Sequence, residues 1–514
     1  MSGFESLIPP IVAVGAALLS KRVNLALFLG IWIGGVIYVD GNVLRGLEVS
    51  FTWLVNTMTD EWNARFMLLI ALLGSGAAFI YKIGGSDAVA RAFANRIKTR
   101  QQAQLLTYAL GLCVFFNDYV NTVVVGNAMR GIANKHRISS EKLSYLIDST
   151  AAPVATIAPI SDWVGYQVAL IGTVFATLSI TSSTPYSAFL SSVPWNFYCL
   201  LTLAMVPMLI HTKRDFGPMR TAEHRAMSTG LLVAENDTPL SDVDSDLGAP
   251  IEPQTATTWH FVVPLIALIA ATFWGLWDSA GGGALLDIGG ILEQADVSKA
   301  LLWGAFAMTF AGIVLALGRG ISLQDCEHIM LIGFRTMLPA LLIMVLAWTI
   351  AATCEHLGTA QYIVSITEGW MTPTVLPILV FVVAGIISFT TGTSWGTMAI
   401  LTPIALPIAF SLASIDASQL LVVHITIGAI FSGSVFGDHC SPISDTTVMS
   451  SIFSGADHIA HVRTQLPYAA VPAAISAFLF LFSAFVRSPW ALLAAGLFLQ
   501  YLAVRLLTAN AEKN

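Results

Sequence analysis

The sequence predicts an all-α polytopic membrane protein made of two inverted-topology repeats, each with a re-entrant hairpin and a broken transmembrane helix. Three observations carry that prediction. Apolar runs that reach or approach the roughly 20 residues of a bilayer-spanning helix recur along the chain, among them Val23 to Val39, Phe66 to Ile83, Ser187 to Ile210, Phe261 to Trp277 and Met337 to Ala352. Only 11% of the 514 residues are charged, 56% are hydrophobic and mean hydropathy is +0.75, whereas soluble domains carry roughly 25% charged residues. The tetrapeptide Pro-Ile-Ser-Asp also occurs twice, ending at Asp162 and Asp445, each time within a long apolar stretch. The alternation of barrel strands is absent, so the spans are helices. About 11 crossings plus two hairpins are expected.

The elements follow in order. Leu7 to Leu19 is short enough to pass for a signal peptide, but no basic residue precedes it and Lys21-Arg22 follow it. That predicts a retained helix with the N-terminus outside. Val23 to Val39 then goes out, residues 40–65 lie outside, and Phe66 to Ile83 returns to a basic inner loop with Arg91, Arg96, Lys98 and Arg100. The next stretch, Leu105 to Val125, leads into another basic loop with Arg130, Lys135, Arg137 and Lys142, so it enters and leaves on one side. Its polar centre, Asn117-Asp118-Tyr119-Val120-Asn121-Thr122, predicts a re-entrant hairpin over about 104–128, because non-helical backbone survives at membrane depth only around an enclosed cavity. Leu143 to Leu178 is too long for one span and is interrupted by Pro153, Pro159, Ser161 and Asp162, which predicts a broken helix over about 143–178. The first repeat thus covers 1–210. Residues 211–257, first basic (Lys213, Arg214, Arg220, Arg225) and then acidic (Asp237, Asp242, Asp244, Asp246, Glu252), read as a solvated cytoplasmic linker.

The second repeat, 258–486, runs the plan from the opposite side. Helices 261–277, 300–317 and 337–352 alternate, with Arg319 and Arg335 marking an inner loop. An outer hairpin follows over about 374–414, hinged at Thr390-Thr391-Gly392-Thr393-Ser394-Trp395-Gly396-Thr397. A broken helix comes next over about 420–454, interrupted from Gly437 to Thr447. Gly111 and Phe115 line up with Gly385 and Phe389 ahead of the two hinges, which makes Gly392 the counterpart of Asp118. Residues 487–514 add a C-terminal helix and a cytoplasmic tail.

Each half holds an odd number of crossings, so the halves are inverted. That design recurs in secondary transporters, where broken helices meet at mid-membrane. The expectation is therefore a multi-pass transporter of the cell membrane, not an enzyme, with no cofactor. The linker lacks a phosphate-binding glycine loop, which argues against ATP drive. The net charge of −7 sits in loops and gives no support to nucleic-acid binding. The five cysteines, Cys113, Cys199, Cys326, Cys354 and Cys440, show neither zinc nor disulfide spacing.

Phe115 to Arg130 (FFNDYVNTVVVGNAMR), Asp148 to Pro153 (DSTAAP), Ala158 to Trp163 (APISDW), Gly392 to Thr397 (GTSWGT) and Gly437 to Thr447 (GDHCSPISDTT) resemble the NhaC-type sodium/proton antiporter family, within the ion transporter superfamily. The resemblance runs over nearly the whole chain outside the linker. It implies a cation/proton exchanger with a scaffold and a mobile transport subdomain, an elevator-like movement, and Na⁺ or Li⁺ and H⁺ as the transported species. It also suggests a homodimer. The family includes exchangers of small organic acids, so a Na⁺- or H⁺-coupled carrier of a dicarboxylate or monocarboxylate is the alternative.

A hard cation such as Na⁺ wants oxygen ligands. The breaks offer Asn117, Asp118, Asn121 and Thr122; Ser161 and Asp162; Thr391, Thr393 and Ser394; and Asp438, His439, Ser441, Ser444, Asp445 and Thr446. Asp118, Asp162 and Asp445 are the carboxylates expected on the metal. An exchanger also needs a group that holds either cation or proton, and Asp118 is the first choice because its counterpart is a glycine. The other reading of Asp118 is a cap for the half-helix after the break. Asp162 and Asp445 read as ligands or as shared caps, and Asp438 with His439 as a proton relay or as a pair that ties down the helix. Asp148 reads as a carboxylate behind the site or at the inner entrance, and Arg130 as an inner-face anchor in preference to a substrate ligand. The hydroxyls at 391, 393 and 394 either ligate or bond back to their own helix. Trp53, Trp62, Trp259 and Trp277 lie near predicted helix ends and read as interface anchors. An anionic substrate calls for an arginine or lysine at a break; none is there, although a helix N-terminus could replace it.

Overall fold

Interrupted helices fill the centre of this molecule. The computed structural model describes residues 3–20, 22–94, 97–159, 161–181, 183–240, 250–251, 253–282, 291, 295–359, 362, 365–366, 372, 374–412 and 419–511. The first half runs α1 (Ile8–Ser20), α2 (Val23–Tyr38), α3 (Val43–Thr59), α4 (Glu61–Lys82), α5 (Gly85–Ala94), α6 (Arg100–Cys113), α7 (Asp118–Lys135), α8 (Ser140–Asp148), α9 (Ala152–Ala155), α10 (Asp162–Thr177), α11 (Pro185–Ser192) and α12 (Phe197–Thr212). After α13 (Gly217–Thr229) the second half runs α14 (Trp259–Ser279), α15 (Val297–Gly318), α16 (Leu323–His356), α17 (Leu376–Thr391), α18 (Ser394–Leu412), α19 (Gln419–Cys440), α20 (Asp445–Ser454), α21 (His458–Phe482) and α22 (Pro489–Ala511). Among the described residues there is no strand.

Among the described residues, eight helices, α4, α14, α15, α16, α18, α19, α21 and α22, are long and apolar enough to cross a membrane, or up to 10 spans if each of two bent pairs is one. The shorter helices α1, α2, α6, α8 and α10 fall below the length of a full span. All four interruptions fall where the polar words predict. α6 and α7 are separated at 114–117, α17 and α18 at 392–393, α8 to α10 around α9, and α19 and α20 at 441–444.

Several expectations change. Residues 40–65 contain a helix, α3, which folds back on α2 at 118°; Asn42 Oδ1 caps it, accepting from Arg45 N at 3.0 Å. The inner loop expected around Arg319 and Arg335 is shorter, because α16 is one helix of 34 residues, roughly 50 Å long, and contains Arg335. The first hairpin extends beyond 128, since α7 continues to Lys135. Part of the linker is ordered as α13. Lys21, Arg96, Ile160, Asp242, Asp244, Asp246, Glu252, residues 413–414 and the tail from 512 lie outside the described residues.

α13 is tied down by charge. Lys142 Nζ donates to Asp215 Oδ1 at 2.6 Å just before it, Arg225 pairs with Glu141 at 2.9 Å, and Glu223 pairs with Arg100 while accepting Ser139 N at 2.8 Å. Lys142 and Glu141 sit on α8, which is buried along its whole length. Removing Asp215, Arg225 or Arg100 strands the buried charge of its partner, so these contacts fix where α13 sits.

The halves interlock by exchanging partners. α20 packs on α7 and α8, while α10 packs on α18, so each broken helix meets the other half's hairpin. Glycine allows matching close approaches within each half. A Cβ added at Gly111 would lie 2.0 Å from Thr150 Oγ1, and one at Gly437 would lie 2.3 Å from Gly385 O. Gly111 and Gly385, aligned in the sequence, thus both seat a hairpin arm against its own broken helix.

Candidate functional site

Three helices, α7, α10 and α20, begin at the centre with one repeated arrangement. A capping residue comes first: Asn117 Oδ1 accepts from Val120 N at 2.7 Å, Ser161 Oγ from Val164 N at 3.1 Å and Ser444 Oγ from Thr447 N at 3.4 Å. An aspartate follows, and its Oδ1 accepts the next backbone N–H. Tyr119 N reaches Asp118 at 2.9 Å, Trp163 N reaches Asp162 at 2.9 Å and Thr446 N reaches Asp445 at 2.8 Å. The preceding residue therefore does the capping. Each aspartate, set at the positive end of a helix dipole, keeps Oδ2 for another partner.

Those three Oδ2 atoms differ. That of Asp162 accepts Asn117 Nδ2 at 2.6 Å, and that of Asp445 accepts the Tyr119 hydroxyl at 2.6 Å. Asp118 Oδ2 is buried with no hydrogen-bond partner. Asp438, near the end of α19, is similar: among the described residues its Oδ1 has no partner, and its Oδ2 accepts Thr446 Oγ1 at 3.4 Å, with the Ser394 and Ser444 hydroxyls nearby. Asp118 is 1% exposed and Asp438 2%. A buried polar atom left unsatisfied costs about 1–3 kcal/mol, and here two such carboxylate oxygens belong to residues in the walls of one cavity.

That cavity has a volume of about 140 Å³. Asp118, Asp438 and Asp445 line it together with the hydroxyl residues Thr393, Ser394 and Thr446. The remaining wall is Asn63 and aromatic rings. Among the described residues, no three or more His, Cys, Asp or Glu side chains are grouped to hold a metal ion, so a cation here would depend on one or two carboxylates completed by hydroxyl, amide or water oxygens. A vestibule of about 460 Å³ shares Asn63, Trp348 and Thr393 with the cavity and is lined further out by Asp60, Glu355 and His356. Among the described residues, neither space has an arginine or lysine in its lining.

Of the residues expected from the sequence, Asp118, Thr393, Ser394, Asp438, Asp445 and Thr446 come together at the cavity, and Thr391 lines the vestibule. The rest hold the breaks in shape. Asp162 sits with Ser161 beside a separate small space, its Oδ2 on Asn117. Asn121 Nδ2 donates to Gly111 O, Val114 O and Thr150 O at 2.7, 3.0 and 2.8 Å, clamping the first hairpin to the first broken helix. Thr122 Oγ1 donates to Tyr119 O at 2.7 Å, Ser161 Oγ to Ala155 O at 2.6 Å and Ser441 Oγ to Phe389 O at 2.8 Å. Ser444 is the cap of α20.

Asp438 and His439 diverge. His439 Nδ1 meets the Tyr198 hydroxyl at 2.8 Å, and its Nε2 lies 3.4 Å from Ser149 Oγ and 3.9 Å from Asp148 Oδ2. Asp148 in turn accepts from Gln465 Nε2 at 2.6 Å, Thr447 Oγ1 at 3.2 Å and Ser450 Oγ at 3.3 Å. It is an anchor that joins α8 to α20 and α21, set behind the cavity.

The counterpart of Asp118 also changes. α17 ends at Gly392 with φ 69°, and α18 starts at Ser394. Counted from the helix start, Ser394 stands opposite Asp118. The glycine turns the chain in two residues where the first hairpin uses four, which shifts the alignment made on the phenylalanines.

Tyr119, Asn63, Phe66, Trp163, Trp348 and Trp395 were not among the expected site residues, although Tyr119, Trp163 and Trp395 lie inside the quoted motifs. Trp62, read as an interface anchor, lines the cavity with its ring 5.5 Å from that of Trp395. Trp53 stacks on His356 at 5.0 Å in the vestibule wall. An indole near a helix end can face an internal aqueous space as readily as a headgroup layer. Trp259, 63% exposed, remains on the surface.

A family model described as the Na⁺/H⁺ antiporter family matches residues 154–485. An uncharacterized protein of Haemophilus influenzae is 32% identical over 489 residues, covering 92% of this chain and 89% of that one. Shorter similarities reach the malate-2H⁺/Na⁺-lactate antiporter of Bacillus subtilis, 31% identical over 34% of this chain and 36% of that protein. The arginine/ornithine antiporter ArcD of Halobacterium salinarum is 28% identical over 38% of this chain and 39% of its own.

Proposed function

The chain belongs to the Na⁺/H⁺ antiporter family, a family of transporters and not of enzymes, and from that premise we propose that it exchanges Na⁺ or Li⁺ for H⁺ at the cavity between Asp118 and Asp438. The observation that carries this reading is Asp118 Oδ2, buried and unpartnered in the cavity wall. Asp118 Oδ1 is occupied by Tyr119 N, so proton and cation compete for Oδ2. Only one of them fits there at a time, and that competition couples the two fluxes. Asp438 Oδ1 offers the second charged oxygen, and Thr393, Ser394 and Thr446 offer hydroxyls. Asp162 and Asp445 already have donors, and act by the negative potential they add around the cation.

Alternating access exposes this cavity to one face at a time. With the N-terminus outside and the C-terminus in the cytoplasm of a cell that carries the protein in its plasma membrane, the vestibule at the ends of α3 and α16 opens outward. A dicarboxylate or monocarboxylate cargo gains no support from the cavity, whose lining has no cationic side chain.

Inside-out vesicles carrying a pH gradient test the proposal. Na⁺ and Li⁺ should collapse the gradient in wild type and fail to do so in Asp118→Asn. If both cations leave the wild-type gradient intact while lactate or malate collapses it, Na⁺/H⁺ exchange is wrong. Full exchange by Asp118→Asn would remove Asp118 as the switch.

A further inference from the structure

The cavity is larger and more aromatic than an alkali cation uses. Its volume of about 140 Å³ is close to that of an apolar cavity of roughly 150 Å³ that takes up benzene, so it has room for about six to eight non-hydrogen atoms. Na⁺ seeks hard oxygen ligands and gains nothing particular from indole walls. Yet Trp62, Trp163, Trp348, Trp395, Phe66 and Tyr119 surround the two unpartnered carboxylate oxygens. Trp395 is itself held in place, with the Tyr166 ring stacked on it at 4.4 Å and the Tyr166 hydroxyl donating to its carbonyl at 3.1 Å.

These features match the two ends of an alkylammonium ion. Its N–H groups are charge-assisted donors for carboxylate oxygens, and the carbons next to the nitrogen carry positive charge that aromatic faces attract. We propose that the cavity takes a small organic ammonium ion as an alternative cargo to Na⁺, with the ammonium group on Asp118 Oδ2 and Asp438 Oδ1 and the carbon skeleton against Trp348 and Trp395. The inference rests on the reading of Asp118 and Asp438 as the cation-binding carboxylates. Asp60 and Glu355 in the vestibule suit the approach of a cation.

Binding to the purified full-length protein tests this, read by tryptophan fluorescence and by displacement of radiolabelled Na⁺. The probes are methylammonium, ethanolammonium and glycine, with acetate and lactate as anionic controls. Ethanolammonium should give a saturable change that Na⁺ reverses. Asp438→Asn should abolish it, and Trp348→Ala should weaken it about ten-fold. Trp348→Phe keeps a ring and should restore most of the binding, which separates loss of the aromatic face from misfolding. If no ammonium probe binds while Na⁺ still drives proton movement in vesicles, the organic cargo is overturned and Na⁺/H⁺ exchange stands. Ammonium binding without any Na⁺ response does the reverse, and binding of lactate in place of the ammonium probes overturns both.

Discussion

Tyr119 of α7 donates its phenol hydroxyl to Asp445 Oδ2 of α20 at 2.6 Å. The two residues are 326 positions apart and belong to opposite halves. One hydrogen bond therefore joins the break of the first hairpin to the break of the second broken helix, and it settles which aspartate is left without a donor. Asn117 makes the corresponding bond to Asp162 within the first half.

Tyr119→Phe removes that donor while Thr446 N stays on Asp445 Oδ1. Stranding a buried carboxylate oxygen costs about 1–3 kcal/mol. The variant should melt several degrees lower and exchange more slowly, as followed by fluorescence-detected thermal melting and vesicle assays. An unchanged melting temperature would refute the structural weight given to this bond.

Asn117 does two jobs, capping α7 and donating to Asp162. Asn117→Ala loses both, whereas Asn117→Ser restores a cap and leaves Asp162 without its donor. The alanine variant should be less stable than the serine variant by about 0.5–2 kcal/mol, while both exchange more slowly than wild type. Equal stability of the two would show that the cap contributes nothing.

Gly392 has φ 69°, and an added Cβ would lie 2.6 Å from Ile443 O in the break before α20. Left-handed backbone alone costs a non-glycine residue roughly 1–2 kcal/mol, and the clash adds to it. Gly392→Ala should sharply reduce the yield of monodisperse protein on size-exclusion chromatography. Gly131→Ala on α7, where a Cβ meets nothing within 4 Å, should instead stabilise by about 0.5–1 kcal/mol.

His136 follows α7 in the basic loop. Burial, with the positive charges of Lys135 and Arg100, holds its imidazole below the usual 6.5. The unfolded chain thus takes up the proton first as pH falls. Stability from this group is complete above pH 6.5 and is lost as pH drops from there to the folded-state value. His136→Gln should show a flatter decline of melting temperature on acidification; the same slope in both proteins would contradict this.

The breaks were legible because polar words stand out against apolar sequence. Asn117-Asp118 and the two Ser-Asp pairs announce helix starts through local chemistry that needs no partner. The aromatic enclosure was harder to read. Phe66 and Trp348 come from the uninterrupted helices α4 and α16, where an inward ring looks the same as a lipid-facing one. The tertiary arrangement alone separates them. The crossing of α20 onto α7, which brings Tyr119 to Asp445, depends on how the halves interlock, and neither residue type signals it. α3 was missed for a different reason: Arg45, Glu48 and Asn56 dilute its hydropathy, so an amphipathic helix reads as a connecting segment.

The pairing of a neutral cap with a following aspartate separates joinery from charge. Asn117, Ser161 and Ser444 hold their helix ends by an amide or hydroxyl oxygen that never titrates in the working range. Under the proposed exchange, protonation of Asp118 Oδ2 leaves the Asn117 cap on the first turn of α7 in place. The electrostatic part of the site and its mechanical support occupy adjacent positions, so the carboxylates can be neutralised one at a time, by substitution or by protonation, in a framework that stays still.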